Sequence, residues 1–306
     1  MFLVCGEALM DVFALNDTPT GVALDARVGG SPFNVAVGLA RLAQPVGFFG
    51  ALSNGFLGER LMRALRLEGV DLAPVVRTDA PTTLGLVGLN AQGVPSYAFY
   101  GEGAADRQLN LDALPAPSFS ALHVGSYTTV VEPVASTLRA LVEREHRRCL
   151  VAYDPNIRLN VQPDLARWRE QLRWMLPRTH VLKISDEDLA LLLPQTSPAA
   201  FAADALAHGV QLVVVTRGGE GALGWTPHQH VGVPPTRVDV VDTVGAGDTF
   251  QAALLTWLAE HQALVATHVG KLGANDLRDA LAFAARAAAI TCSRRGADMP
   301  RRDELA

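Results

Sequence analysis

The sequence predicts an α/β fold in which a central, mainly parallel sheet carries helices on both faces, with a second, smaller β-sheet beside it. Short apolar segments at 2–8, 46–52, 121–126, 150–153, 181–184 and 212–216 alternate with amphipathic stretches, as in successive βαβ units. Segments 12–28 and 82–100 are rich in β-formers and glycine and leave no room for a helix. They predict a separate small sheet, and the alternative is that they form edge hairpins of the main sheet.

The first helix is predicted directly after the first of these hairpins. Ser31 stands as its N-cap and Pro32 at its first position, and an apolar series follows. The preceding Gly29 and Gly30 allow a ligand to approach the backbone closely. Asn34 offers both a donor and an acceptor to a hydroxyl group. The start of this helix is therefore a candidate binding site, and the simpler interpretation is an ordinary capped helix.

Three polar segments follow predicted strands, where the carboxyl ends of parallel strands meet at one edge of the sheet. Asp11 comes after the first strand, and its carboxylate can accept hydrogen bonds from hydroxyl groups. Segment 154–158, Asp-Pro-Asn-Ile-Arg, follows the fourth strand. A rigid proline turn there aims Arg158 at an anionic group or at a surface ion-pair partner. Segment 216–221 is a glycine-rich turn after the sixth strand.

Segment 242–250, Asp-Thr-Val-Gly-Ala-Gly-Asp-Thr-Phe, is the most informative segment for predicting function. Gly245, Ala246 and Gly247 let successive N–H groups point into one concavity that holds phosphate oxygens. Apolar residues at helical spacing follow, so this concavity lies at a helix N-terminus. Asp248 lies in the first turn, where an ionised carboxylate can accept the proton of an attacking hydroxyl group. The segment predicts a phosphate-transfer site, and the simpler interpretation is a turn with an aspartate N-cap.

Composition limits the class of protein. The 306 residues are 49% hydrophobic and 19% charged, which suits one large α/β domain over 1–306. A formal net charge of −5 argues against nucleic acid or a membrane surface as the main partner. Lysine occurs only at 183 and 271, and the Gly-x-x-x-x-Gly-Lys-Ser/Thr motif does not occur. Phosphate binding is therefore expected from backbone amides, arginine and metal.

The expected location is the cytoplasm. Cys5, Cys149 and Cys292 lie far apart without a Cys-x-x-Cys pair, which favours reduced thiols. The first residues lack a basic leader and soon reach acidic residues, which is not typical of a signal peptide. No run reaches the roughly 18 uninterrupted apolar residues that a membrane span needs.

Segment 242–250 resembles the C-terminal signature of the ribokinase-like, or PfkB-type, carbohydrate kinases. Segment 29–36, with Leu-Ala-Arg-Leu at 39–42, resembles the first signature of the same family, and the two stand in the family's order. The resemblance implies a ribokinase-like fold in which segments at about 12–28 and 82–108 form a β-sheet lid over a sugar. It also implies a kinase that transfers the γ-phosphate of ATP to a primary hydroxyl of a small sugar, and that forms homodimers.

The resemblance also implies roles for residues at matching positions. Asp248 would be the base, and Gly245, Ala246 and Gly247 would form an anion hole that Arg158 complements. The other implied positions are Asp11, Gly29, Gly30, Asn34, Tyr100, Asp106, Arg158 and Asp248 for the sugar; Ser185, Thr216, Gly218, Gly221, Gly245 and Gly247 for the nucleotide; Asp188 for Mg²⁺; and Asp242, Val244, Thr291 and Gly296 for a monovalent cation such as K⁺. Ser185 and Asp188 stand where the family has Asn and Glu, so the carboxylate has a shorter reach toward a metal.

The sugar is inferred from segment 104–109, Ala-Ala-Asp-Arg-Gln-Leu, which follows an aromatic strand and resembles the fructokinase form of this region. Fructokinases and 2-keto-3-deoxygluconate kinases commonly have an arginine after the second aromatic residue, where this chain has Gly101. Because a carboxylate substrate needs a bidentate partner, this difference favours fructose over 2-keto-3-deoxygluconate. With the keto acid, Arg158 or Arg107 would bind the carboxylate. An alternative of another class is a regulatory protein that binds sugar without turnover.

Overall fold

The computed structural model of this chain describes residues 1–89 and 95–305, and the side chains of these residues except 89 and 95–97. The strands are β1 (Phe2–Cys5), β2 (Leu9–Thr18), β3 (Gly21–Gly29), β4 (Val46–Phe49), β5 (Ala51–Ser53), β6 (Val76–Thr78), β7 (Leu84–Leu89), β8 (Pro95–Tyr100), β9 (Ala121–Gly125), β10 (Leu150–Asp154), β11 (Val181–Ser185), β12 (Leu212–Thr216), β13 (Ala222–Trp225) and β14 (His230–Val233). The α-helices are α1 (Ser31–Arg41), α2 (Phe56–Leu67), α3 (Val134–Glu145), α4 (Leu165–Met175), α5 (Asp186–Leu192), α6 (Pro198–Ala207), α7 (Ala246–Glu260), α8 (Ala266–Val269) and α9 (Ala274–Cys292).

The main sheet contains eight strands within the described part of the chain, in the order β14-β13-β12-β11-β10-β9-β1-β4. The strands from β12 to β4 run parallel, and β13 and β14 add an antiparallel edge. All six apolar segments that predict strands contribute a parallel strand to this sheet. The predicted α/β architecture is confirmed.

A four-stranded sheet in the order β3-β2-β7-β8 lies apart from the main sheet. The two hairpin-like segments of the sequence form it, so their alternative placement as edge hairpins of the main sheet is wrong. Residues 90–94 of the predicted lid segment lie outside the described residues. Segment 46–52 also differs from prediction, because its last residues leave the main sheet and β5 pairs with β6.

The main sheet has an apolar core on each face. Phe2 and Val4 of β1 pack with buried residues of α1, α2, α7 and α9. Leu3 and Cys5 of the same strand pack on the opposite face with α3, α4, α5 and α6. This alternation follows from the two-residue period of a strand, and burial on both faces explains the almost continuous apolar composition of the parallel strands. Among the described residues, no helix has the length and apolar character needed to cross a lipid bilayer.

Candidate active site

The N-terminus of α7 forms one side of the candidate active site. Gly245 is the N-cap and has a left-handed conformation with φ of 78°. A Cβ atom on Gly245 would lie 2.5 Å from the Cβ atom of Ala297, so both backbone conformation and space require glycine. The first-turn N–H groups of a helix have no acceptor within the helix and carry its positive dipole end. This end of α7 therefore has the geometry that an anion hole needs.

Asp248 lies in the first turn of α7, and α1 fixes its carboxylate. Ser31 Oγ donates a hydrogen bond of 2.6 Å to Oδ1, and Asn34 Nδ2 donates one of 2.8 Å to Oδ2. Burial raises the pKa of the Asp248 carboxyl group, and these two hydrogen bonds act in the opposite direction. Such a carboxylate is oriented and ionisable, as a proton acceptor must be.

The hydroxyl group of Ser31 corrects one prediction. The N-cap of α1 is Gly30, with φ of 105°, and Ser31 is already the first helical residue. The prediction of Ser31 as N-cap is wrong because its side chain bonds to Asp248 of α7 instead of a backbone N–H of its own helix. A contact between residues 217 positions apart leaves no signal in the local helix pattern.

Asp11 lies on β2 between two glycines of the neighbouring strands. A Cβ atom on Gly29 would overlap the Asp11 carboxylate, and one on Gly85 would lie 3.1 Å from Asp11 Oδ1. Burial raises the pKa of Asp11 to about 6, the positive charge of Arg158 lowers it, and the negative charge of Asp248 raises it. These mutual effects show that the structure brings Asp11, Arg158 and Asp248 into one electrostatic neighbourhood.

Arg158 follows β10 after a turn in which Asn156 has φ of 41°. Its side chain is exposed, and Nη1 donates a 2.9 Å hydrogen bond to the carbonyl oxygen of Ile157. Its positive charge lowers the pKa values of Asp11, Asp188 and Asp248. The predicted turn therefore places an arginine beside the carboxylates of the site.

A buried ion pair lies beside the start of α7. Lys183 Nζ on β11 donates a 2.6 Å hydrogen bond to Asp154 Oδ2 at the end of β10. The two side chains are 5% and 3% exposed. Lys183 Nζ also lies 3.1 Å from the point that a Cβ atom on Gly247 would occupy. The sequence interpretation missed Lys183; the signal was a single lysine within an apolar parallel strand.

Ser185 and Asp188 lie at the start of α5. Ser185 is the N-cap, and its Oγ accepts a 3.0 Å hydrogen bond from the Asp188 backbone N–H. Burial raises the pKa of Asp188 to about 6, and the nearby negative charge of Asp154 adds to this effect. Asp188 therefore joins the same cluster of charges. Within the described residues, no group of three or more His, Cys, Asp or Glu side chains is placed to hold a metal ion.

The glycine-rich turn after β12 lies beside these residues at the same edge of the sheet. Thr216 is the register partner of Ser185 on the adjacent strand. Gly218 and Gly221 have φ of 46° and 86°, a conformation that favours glycine. A Cβ atom on Gly218 would meet no heavy atom within 4 Å, so the outer side of this turn is open.

Asp242 connects the loop before α7 with the segment after α9. Its Oδ1 accepts a 3.1 Å hydrogen bond from Val244 N–H, and its Oδ2 accepts one of 2.8 Å from Gly296 N–H. Thr291 Oγ1 lies 2.9 Å from Thr249 Oγ1, one turn into α7. The structure therefore brings together, near the N-terminus of α7, the four residues predicted to surround a monovalent cation, Asp242, Val244, Thr291 and Gly296.

Asp106 and Tyr100 occupy different environments near the small sheet. Asp106 is 1% exposed, its Oδ2 accepts a 2.8 Å hydrogen bond from Tyr127 Oη, and its Oδ1 accepts one from the hydroxyl group of Thr83. Both oxygens therefore help to join the small sheet to the main domain. Tyr100 is 62% exposed at the end of β8. A sugar contact by either residue stays a prediction.

This chain is similar to known carbohydrate kinases. A profile described as pfkB family carbohydrate kinase matches residues 1–303. A fructokinase of Rhizobium leguminosarum bv. trifolii is 38% identical over 281 residues, which cover 91% of this chain and 86% of that protein.

Two solved fructokinases have the same fold. A structure from Xylella fastidiosa with bound ATP has a TM-score of 0.89 and 28% identity, covering 99% of this chain and 96% of that one. A structure from Vibrio cholerae O395 with fructose, ADP and calcium has a TM-score of 0.81 and 27% identity, covering 99% and 97%. A double mutant of the Vibrio protein contains fructose, ADP and a potassium ion, with a TM-score of 0.83 and 26% identity, covering 99% and 96%.

Proposed function

This chain belongs to the pfkB family of carbohydrate kinases, and we propose that it is a fructokinase, which transfers the γ-phosphate of ATP to a primary hydroxyl group of fructose. The observation that carries the proposal is the carboxylate of Asp248 at the N-terminus of α7, held by Ser31 and Asn34 beside Gly245 and Gly247. A proton acceptor and an anion hole on the same helix turn are the two elements that phosphoryl transfer to a hydroxyl group needs.

Asp11 and Asn34 would bind the sugar, in the space that Gly29 and Gly30 leave open. The carboxylate of Asp11 accepts hydrogen bonds from sugar hydroxyl groups, and Asn34 orients Asp248. Asp248 then accepts the proton of the attacking hydroxyl group. Holding the two reactants in this geometry removes much of the entropic cost of their meeting.

The amides of Gly245 and Gly247 would hold the phosphate oxygens, joined by the Ala246 N–H once it gives up its 3.2 Å hydrogen bond to the carbonyl oxygen of Thr243, and Arg158 would add positive charge. Because Arg158 is exposed, its guanidinium group can follow the phosphate as charge develops. The nucleotide would extend along the sheet edge past Ser185 and Thr216 to Gly218 and Gly221.

Two ions fit residues of this site. Burial and the neighbouring carboxylate of Asp154 raise the pKa of Asp188 to about 6, because both disfavour its ionised form. A bound Mg²⁺ would stabilise the ionised carboxylate of Asp188. When bound, Mg²⁺ would supply positive charge that offsets the negative charge of the phosphate groups. Asp242 accepts hydrogen bonds from Val244 N–H and Gly296 N–H and so joins the two segments that would hold K⁺; the bound ion would fix the position of Val244 before the anion hole.

Fructose is the sugar favoured by the fructokinase names of the relatives. Gly101 itself offers no arginine to an acidic substrate, but Arg107 Nη2 lies 2.9 Å from the point that a Cβ atom on Gly101 would occupy, so the two sugars have to be compared directly. The test is initial ADP release from MgATP in potassium-containing buffer, with fructose and 2-keto-3-deoxygluconate measured in parallel. Release with fructose alone supports the proposal. Preference for the keto acid would reassign the substrate, and sugar binding without ADP release would reassign the protein to a non-catalytic class.

We also propose a homodimer and a reducing location such as the cytoplasm. Leu15, Val22 and Leu24 of the small sheet are 54%, 50% and 53% exposed, and a second copy would cover them. Sedimentation of the wild-type chain and of Leu24→Lys tests the dimer, because a lysine there should yield monomers. The cysteines of the described chain are free, as expected in a reducing compartment.

A further inference from the structure

The ion pair of Lys183 and Asp154 needs an explanation beyond stability. Removing two charges from water costs free energy, and apolar side chains of similar volume often stabilise a fold equally well or better. The two side chains are 5% and 3% exposed, and the neighbouring strands are apolar apart from the buried His123 of β9. A purely structural role therefore leaves the presence of charge at this place unexplained.

The position of the ammonium group indicates what the charge does. Lys183 Nζ lies 3.1 Å from the point that a Cβ atom on Gly247 would occupy, so the missing side chain of Gly247 leaves the ammonium group open to the anion hole. An ammonium group has three donors, and Asp154 Oδ2 accepts one of them at 2.6 Å. The side chain is held by burial and by this bond, so it needs no reorganisation when charge develops beside it.

We propose that Lys183 is a further catalytic residue, whose ammonium group donates a hydrogen bond to the transferring phosphoryl group at the anion hole of α7. Asp154 is the positioning residue that holds this ammonium group in place. The inference rests on the proposed kinase function and adds a second, buried cation to the exposed Arg158. It also gives a physical reason for glycine at 247, because a side chain there would separate the ammonium group from the phosphate.

The main test variant is the double substitution Lys183→Met and Asp154→Asn. It removes both charges together, keeps both volumes, and avoids a buried carboxylate without a partner. We expect it to fold and to lose about 10²- to 10³-fold in kcat with fructose, the usual loss for one preorganised donor. The KM for fructose should stay within about threefold. Lys271→Met, which changes the other lysine of the chain at an exposed position, is the matched control and should keep wild-type kcat.

Nucleotide binding gives a readout that does not depend on turnover. The double variant should bind ADP with wild-type affinity and a non-hydrolysable ATP analogue about tenfold more weakly, because only the analogue carries the γ-phosphate that Lys183 would contact. Equal losses for both nucleotides would overturn the inference, and so would a folded double variant with kcat within about threefold of wild type.

Asp154→Asn alone is the second variant and decides the question if the double variant does not fold. It leaves Lys183 buried without the carboxylate that holds its ammonium group in place. The affinity for the non-hydrolysable ATP analogue should then fall about tenfold while the affinity for ADP stays at the wild-type value, and an equal change for the two nucleotides would overturn the inference. If the wild-type protein released no ADP with any sugar, the proposed function would fail, while the two nucleotide affinities would still decide the role of Lys183.

Discussion

Asp248→Asn exchanges one carboxylate oxygen for an NH₂ group and leaves the size of the side chain unchanged. Ser31 donates to one oxygen at 2.6 Å and Asn34 to the other at 2.8 Å. The first hydrogen bond persists in the variant, and the second is recovered when the Asn34 amide turns its oxygen toward the new NH₂ group. The variant also buries no charge. We therefore expect the same fold and an unfolding temperature no lower than that of wild type.

The loss in activity should be large because the variant cannot accept a proton. Removing a positioned general base costs about 10²- to 10⁴-fold in kcat, which corresponds to about 3–5 kcal/mol of the barrier. The KM for fructose should change much less, since the amide still donates and accepts hydrogen bonds. The assay is initial ADP release at saturating fructose and MgATP, with circular dichroism to verify the fold.

Ser31→Ala is the matched control for Asp248→Asn, because it keeps the base and removes one of its two hydrogen bonds. That bond lowers the pKa of Asp248, so its loss raises this pKa further. Activity is present above this pKa and lost as pH falls through it, so the acid limb of the Ser31→Ala profile should move to higher pH, with kcat recovered in alkaline buffer. A folded Asp248→Asn protein with kcat within about tenfold of wild type would refute the assignment of Asp248 as the base.

Three further predictions test other parts of the molecule. Burial raises the pKa of Glu7 from 4.5 to about 7. Between these two pH values the folded state binds a proton at Glu7 that the unfolded state has released. The free energy of unfolding should therefore fall as pH rises from 4.5 through 7, by on the order of 3 kcal/mol. Urea unfolding at several pH values should show this decline in wild type and a weaker one in Glu7→Gln. Gly29→Ala places a methyl group on the Asp11 carboxylate, so the KM for fructose should rise at least about tenfold while ADP affinity, measured by calorimetry, stays constant. Asp242→Ala removes the carboxylate that accepts hydrogen bonds from two backbone N–H groups around the proposed cation site. The K⁺ concentration for half-maximal ADP release should therefore rise about tenfold. An unchanged K⁺ response would contradict a cation site there.

Local patterns in the sequence were sufficient for the architecture. The six parallel strands were predictable because each is a short apolar run, buried on both faces and bounded by turn residues. The start of α7 was predictable because glycine, alanine and glycine directly precede an apolar run at helical spacing. The small sheet was predictable because segments 12–28 and 82–100 leave no room for a helix. In each case the evidence lies within a few neighbouring residues.

The interactions inside the candidate site were decided by tertiary structure alone. The sequence predicts Ser31 as a helix N-cap, but its hydroxyl group donates a hydrogen bond to the carboxylate of Asp248, 217 positions away. The sequence contains no sign that Asp106 is buried and hydrogen-bonded to Tyr127, a residue 21 positions away. Lys183 was missed because its partners, Asp154 and Gly247, lie on other elements. Secondary structure follows from periodicity along the chain, whereas the partner and the pKa of a side chain depend on which distant residues share its surroundings and on how much water they exclude.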